Sequence, residues 1–179
     1  MDKSIESKTQ LATFGTGCFW CTESIFRILK GVKDVYCGYC GGHTVNPTYK
    51  KVCSGTTNHA EVIQLSYDPT EISYDELLQA FWRSHDPTQL NGQGADIGTQ
   101  YRSVIFYHTE EQKEKAEMYK KKLNDSKLYK SDIVTEISPM TTFYKAEQDH
   151  QDYFTKNSEK QYCKLVIKPK LDKFKAIFL

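Results

Sequence analysis

Residues 15–21 read Gly-Thr-Gly-Cys-Phe-Trp-Cys. This heptapeptide joins a short, partly apolar, β-leaning run from Leu11 to Phe14 to a segment from Thr22 to Lys30. In that segment Ile25, Phe26 and Leu29 recur as on one helix face, and Gly31 supplies a stop signal. A strand that turns directly into a helix is expected, with Cys18 at the helix start and Cys21 one turn on. Thiols at i and i+3 of a helix have Cα atoms about 5–6 Å apart, inside the range that a disulfide spans. The pair can therefore oxidise with little backbone movement. Free N–H groups and the helix dipole at such a start favour a thiolate, which makes Cys18 the candidate nucleophile.

The chain of 179 residues is long enough for one sizeable core, and a single domain over 1–179 is expected. A formal charge of +1 gives no electrostatic reason for a nucleic acid or a membrane surface as partner. The N-terminal residues are polar, and nowhere do 18 apolar residues run together, so a cytoplasmic, monomeric protein is expected. Six cysteines (18, 21, 37, 40, 53 and 163) in such a chain point to catalysis or metal binding rather than to a disulfide framework.

Along the chain, Val32 to Tyr36 reads as a strand and the Gly, Asn and Pro-rich stretch from Gly38 to Asn58 as a long loop, a length that usually carries function. From Ala60 to Tyr67 the pattern alternates, with Glu61, Ile63, Leu65 and Tyr67 on one face; a carboxylate thus sits on an apolar face. Ser73 to Glu76 is a capping box for a helix with an apolar stripe of Leu77, Leu78, Phe81 and Trp82. The glycine-rich run Thr88 to Gln100 is a second site loop, followed by a β-like run from Tyr101 to Tyr107. Thr109 to Gln112 opens a charged helix to about Leu123, in which Glu111 with Lys115 and Glu117 with Lys121 are spaced to pair. A strand near 133–137, a helix from Ala146 to about Phe154 and an irregular, mobile tail at about 155–179 with seven lysines complete the reading. Mixed βα units with long irregular connections favour an α+β sandwich, with the core over about 11–154.

Two rivals share the cysteines. Cys18, Cys21, Cys37 and Cys40 have the spacing of a four-thiolate zinc site. Against it stand the bulky Phe19 and Trp20, the helix expected to begin at Cys21, and a domain size that needs no metal. A thioredoxin-like disulfide oxidoreductase also opens a helix with CxxC, but the intervening Phe-Trp suits a pocket for an apolar substrate group better than a protein-docking face. Cys37, Cys40 and Cys53 read as small buried hydrophobes. Glu61 is the candidate general acid, since a carboxyl kept protonated by burial can give up a proton near neutral pH. Tyr49, Asp96 and Tyr101 border the two loops as hydrogen-bonding candidates. The five histidines lack metal-binding spacing and read as surface or capping residues.

These segments form one ordered set: Gly17-Cys18-Phe19-Trp20, Gly41 to Tyr49, Val52 to Thr56, His59-Ala60-Glu61, Tyr67-Asp68-Pro69, His85-Asp86-Pro87 and Gly98 to Ser103. The set closely resembles the A-type peptide methionine sulfoxide reductases over roughly residues 11–154. The resemblance implies a ferredoxin-like α+β core, reduction of the S epimer of methionine sulfoxide, free or in proteins, and no cofactor or metal. Carried over, Cys18 attacks the sulfoxide sulfur and Phe19 and Trp20 hold the substrate methyl. Glu61, Tyr49 and Tyr101 bind the oxygen, with Glu61 giving the proton, and Asp96 orients the substrate. The sequence departs from the family where Cys21 replaces the usual glycine. The family's C-terminal resolving cysteine has a counterpart near Cys163, so three schemes stand: Cys21 alone, Cys163 alone, or a relay from Cys21 to Cys163, the last favoured here. Thioredoxin is the reductant that the resemblance implies.

Overall fold

In β1 (Gln10–Thr16), Ala12 and Phe14 point to one side of the strand and Thr13 to the other, and this alternation decides which face of the sheet carries the main core. The computed structural model describes residues 8–179. After β1 come α1 (Phe19–Phe26), β2 (Val32–Cys40), α2 (Tyr49–Cys53), β3 (Ala60–Tyr67) and α3 (Tyr74–Arg83). The short hairpin β4 (Gly92–Gln93) and β5 (Asp96–Ile97) then leads into β6 (Ser103–Tyr107) and α4 (Glu110–Asp125). The strands β7 (Glu136–Pro139) and β8 (Tyr144–Lys145), the one-turn α5 (Tyr153–Lys156) and α6 (Lys168–Phe178) follow.

The main sheet has the order β7-β6-β1-β3-β2-β8, with every neighbour antiparallel except β6 and β7. Its middle four strands, with α1 and α3 as connections, form the β1-α1-β2-β3-α3-β6 frame of a ferredoxin-like α+β core. Phe14 is the hub: its ring lies 5.3 Å from Phe26 of α1, and 6.1 and 5.3 Å from Tyr74 and Phe81 of α3. Fully buried aromatics of this kind contribute about 3–5 kcal/mol each, judged by truncation to alanine. The capping signals act as read: Ser73 accepts from Glu76 N–H at 3.1 Å and Thr109 from Gln112 N–H at 3.2 Å. Glu111 pairs with Lys115 at 3.1 Å, whereas Lys121 reaches Asp125 rather than Glu117. Among the described residues no helix is long and apolar enough to cross a membrane.

Four segments differ from the sequence reading. Strand β2 runs on to Cys40, held along its length by β3, and α2 forms inside the expected loop because Thr48 caps it through Lys51 N–H. The last strand of the expected series lies at 136–139, paired with β6. The 146–154 helix is a single 3₁₀ turn over Gln148–His150, broken at Asp152, whose φ is +53°. Two buried side chains impose that break. Gln151 accepts from Cys37 N–H and donates to Cys37 C=O, both at 2.9 Å, as a strand would, and the Glu23 carboxylate accepts from the N–H groups of Asp152 and Tyr153. The tail is not irregular. A π-helical turn over Cys163–Ile167 runs into α6, and Cys163, Ile167, Leu171 and Phe174 are buried along one side.

Candidate active site

Gly17 makes the turn that delivers Cys18. Its φ is +109°, and a Cβ there would lie 2.8 Å from the Gln93 side chain, so only glycine fits. Cys18 caps α1, its carbonyl accepting from the N–H groups of Cys21 and Thr22 at 3.1 and 3.3 Å. Its side chain is 7% exposed and shares a buried cluster with Cys21, Cys163 and Ile167. The expected thiolate is not what the site stabilises at rest. Burial pushes the Cys18 thiol well up, a hydrogen bond to Cys21 and the nearby Glu61 add to this, and the first N–H of the helix, that of Phe19, is taken by Glu61 at 3.2 Å. Cys21 is lowered instead, first by the bond from Cys18 and further by Lys170. In the hydrogen bond between the two thiols Cys18 is thus the donor and Cys21 the acceptor.

Glu61 enters from β3, opposite Tyr39 of β2, and is almost wholly buried. Oε1 holds the Phe19 N–H, while Oε2 is buried without a protein partner among the described residues. Burial raises the carboxyl to about 8, against a bond from Phe19 that lowers it, with Asp96 and Cys21 raising it further. At neutral pH the group carries a proton, and Oε2 is the oxygen free to present it. The sign of the linkage is definite. Between 4.5, where the unfolded chain loses this proton, and about 8, where the folded one does, stability falls as pH rises. Glu61→Gln is expected to stabilise the fold by about 3 kcal/mol at pH 7 and by less than about 1 kcal/mol at pH 5, measured by denaturant unfolding.

The aromatic side chains form a cage around Trp20. Its indole stacks on Tyr153 at 3.8 Å and 7°, meets Tyr49 at 6.2 Å, and donates its N–H to His150 Nδ1 at 3.2 Å. His150 in turn packs 4.1 Å from Tyr49 and 5.7 Å from Phe19. Burial and the Glu61 charge push the phenols of Tyr49 and Tyr101 up, so both are neutral O–H donors beside Cys53. Tyr162 lies over the thiols, in hydrogen-bond contact with Cys18 and Cys21, edge-on to Trp20, and donating to Asp96 Oδ2 at 2.8 Å.

The residues singled out from sequence (Cys18, Phe19, Trp20, Cys21, Tyr49, Glu61, Asp96, Tyr101 and Cys163) thus share one neighbourhood, although Asp96 is engaged by Tyr162. Tyr153, Tyr162 and His150 were missed. The first two were lost among twelve tyrosines, although Tyr162 adjoins Cys163. His85 takes the expected capping role at the end of α3, against Phe81 C=O at 2.9 Å, whereas His59 and His150 are buried: His59 accepts from Gly42 N–H at 2.9 Å and contacts Thr44 C=O at 2.7 Å, fixing the turn before α2. The zinc arrangement fails on pleat geometry. Cys37 and Cys40 stand on opposite faces of β2, Cys37 donating to Phe19 C=O at 3.6 Å and Cys40 lying against Met140 and Thr141.

With Cys18 hydrogen-bonded to a second free thiol and near a carboxyl that keeps its proton to about pH 8, the site is built for sulfur redox chemistry, and the protein is a thiol-based oxidoreductase. The sequence profile of the peptide methionine sulfoxide reductases matches residues 10–178, and the chain belongs to that family. Peptide methionine sulfoxide reductase MsrA of Haloquadratum walsbyi is 55% identical over 170 residues, 95% of this chain and 97% of that one. The reduced form of Mxr1 from Saccharomyces cerevisiae superposes with a TM-score of 0.82 at 38% identity, over 90% and 92% of the two chains. Mxr1 in complex with Trx2 matches at 0.58 and 28% identity, over 86% and 92%. These matches set aside the thioredoxin-like and zinc-module readings.

Proposed function

We propose that the protein reduces the S epimer of methionine sulfoxide, free and within proteins, to methionine, with Cys18 as nucleophile and Glu61 as acid. The observation that carries this reading is the protonated Glu61 with its unpartnered Oε2 in the same buried site as Cys18. A sulfoxide oxygen leaves sulfur only when protonated, so attack and proton delivery must coincide. Cys18 gives up its proton to solvent, and the thiolate attacks the sulfoxide sulfur while Glu61 protonates the oxygen. The hydroxyl then passes from the methionine sulfur to the Cys18 sulfur as the bond between the two sulfurs breaks; methionine leaves, Cys18 is a sulfenic acid, and Glu61 is left as carboxylate. Phe19 and Trp20 wall the methyl group, and Tyr49 and Tyr101 donate to the oxygen. Asp96 turns to the substrate when Tyr162 gives way.

Cys21, already in contact with Cys18, attacks the sulfenic sulfur; a disulfide forms and water leaves. Cys163, in the same buried cluster, then takes over the bond to Cys21 and frees Cys18, and a thioredoxin dithiol reduces the product. The Mxr1–Trx2 complex supports this choice of reductant. Six free thiols fit a reducing compartment, the cytoplasm. In single turnover, Cys21→Ser should still release one equivalent of methionine but leave a sulfenic acid that a 1,3-diketone traps. Cys163→Ser should form the Cys18–Cys21 disulfide normally and slow only steady-state turnover with thioredoxin. A diketone adduct in Cys163→Ser and none in Cys21→Ser would make Cys163 the first resolver.

A further inference from the structure

On the side of the thiol cluster from which Lys170 acts on Cys21, the C-terminal end of α3, the turn that follows it, the loop after α4 and one side of α6 enclose a cleft of about 540 Å³. Four cations line it: Arg83, Lys130, Lys170 and Lys173. A single acid, Asp86, lines it with them, and its Oδ1 is engaged by Thr88 N–H and O–H at 2.9 and 2.6 Å. None of the four cations makes an ion pair among the described residues. Their neighbours do: Lys168 on the same helix holds Asp172 at 2.7 Å, and Lys115 holds Asp75 at 2.8 Å. Unpaired like charges around one concavity repel one another, and a bound anion relieves that repulsion.

The remaining lining fits the same ligand. His85 adds no charge, since burial lowers it to about 4 and its two ring nitrogens are occupied by Phe81 C=O at 2.9 Å and Ser103 Oγ at 2.7 Å. That contact, with the Ser84 O–H at 2.7 Å, also covers the Phe81 carbonyl that would otherwise repel an anion. Phe174 is the apolar floor, and the half-buried ring of Tyr129 forms a side wall. The size is that of a small-ligand site.

We propose that this cleft binds a multiply charged oxyanion of the phosphate type through Arg83, Lys130, Lys170 and Lys173. The full chain, titrated with pyrophosphate or ADP at an ionic strength held constant with sodium chloride, should show saturable amide shifts confined to 83–93, 128–131 and 168–175, with a midpoint of about 1 mM or tighter. ADP binding more tightly than pyrophosphate would identify a nucleotide, and equal midpoints free polyphosphate. Lys170 also acts on Cys21, so the test variants are Lys130→Gln with Lys173→Gln, and Lys173→Glu alone, whose folding is checked by thermal melting. Both should raise the midpoint about tenfold or more. Shifts that never saturate, that spread over the surface, or that persist unchanged in the variants would overturn the proposal. So would silence toward both anions combined with a raised KM for the protein reductant in the variants, which would make the cleft a protein-docking face.

Discussion

Cys18→Ser is expected to lower methionine S-sulfoxide reduction by about 10⁴-fold or more while leaving the melting temperature close to that of the parent. Serine keeps the size of the side chain, and the helix start depends on the Cys18 carbonyl rather than on its sulfur, which makes no capping bond. The hydroxyl is a far weaker nucleophile than sulfur. The serine O–H can still donate to Cys21, so the lowering of the Cys21 thiol should survive and its alkylation rate at pH 7 should change little. Assay of methionine release, with iodoacetamide kinetics on Cys21, checks both expectations. Retained reduction would remove Cys18 from the mechanism.

Glu61→Gln has the second large effect, and its sign differs between two readouts. Glutamine can still accept from Phe19 N–H, so the geometry survives, but it cannot protonate the leaving oxygen, and the reductase step should slow by about 10²–10⁴-fold at pH 7. In the parent the rate should fall above about pH 8 as Glu61 ionises; the variant should lack that descending limb. The Cys18 thiol moves the other way. The Glu61 charge helps to hold it up, so the variant should show faster alkylation of Cys18 above pH 8. Slower reduction together with faster alkylation is the signature of a lost acid, whereas a merely distorted site would slow both. The measurement is a pH series of single-turnover rates beside alkylation rates.

How much of this was legible from sequence follows from how local each cause is. The strand-to-helix turn at Gly17-Cys18, the caps at Ser73 and Thr109 and the placement of Glu61 on the Ile63 and Leu65 face are written in spacing, and the structure has them where spacing puts them. The Cys18 ionisation was misread because a helix start is local while burial is tertiary. Cys163 and Tyr162 come from the far end of the chain to close over the thiols, and burial exceeds the dipole effect. The cage around Trp20 was out of reach for the same reason: His150 and Tyr153 lie some 130 positions away, and Glu23 and Gln151 fix them through backbone contacts that no period reveals. The tail could have been read better. Cys163, Ile167, Leu171 and Phe174 recur at helical spacing, but the lysines between them drew the eye to charge.

The most direct test of the account is a single turnover of the fully reduced protein with one epimer of methionine sulfoxide at a time, followed by mass-spectrometric mapping of the disulfide. One equivalent of methionine from the S epimer, none from the R epimer, and a bridge from Cys21 to Cys18 or to Cys163 are the predicted results. No methionine from either epimer, or methionine formed while Cys18 stays reduced and outside every intermediate, would contradict it.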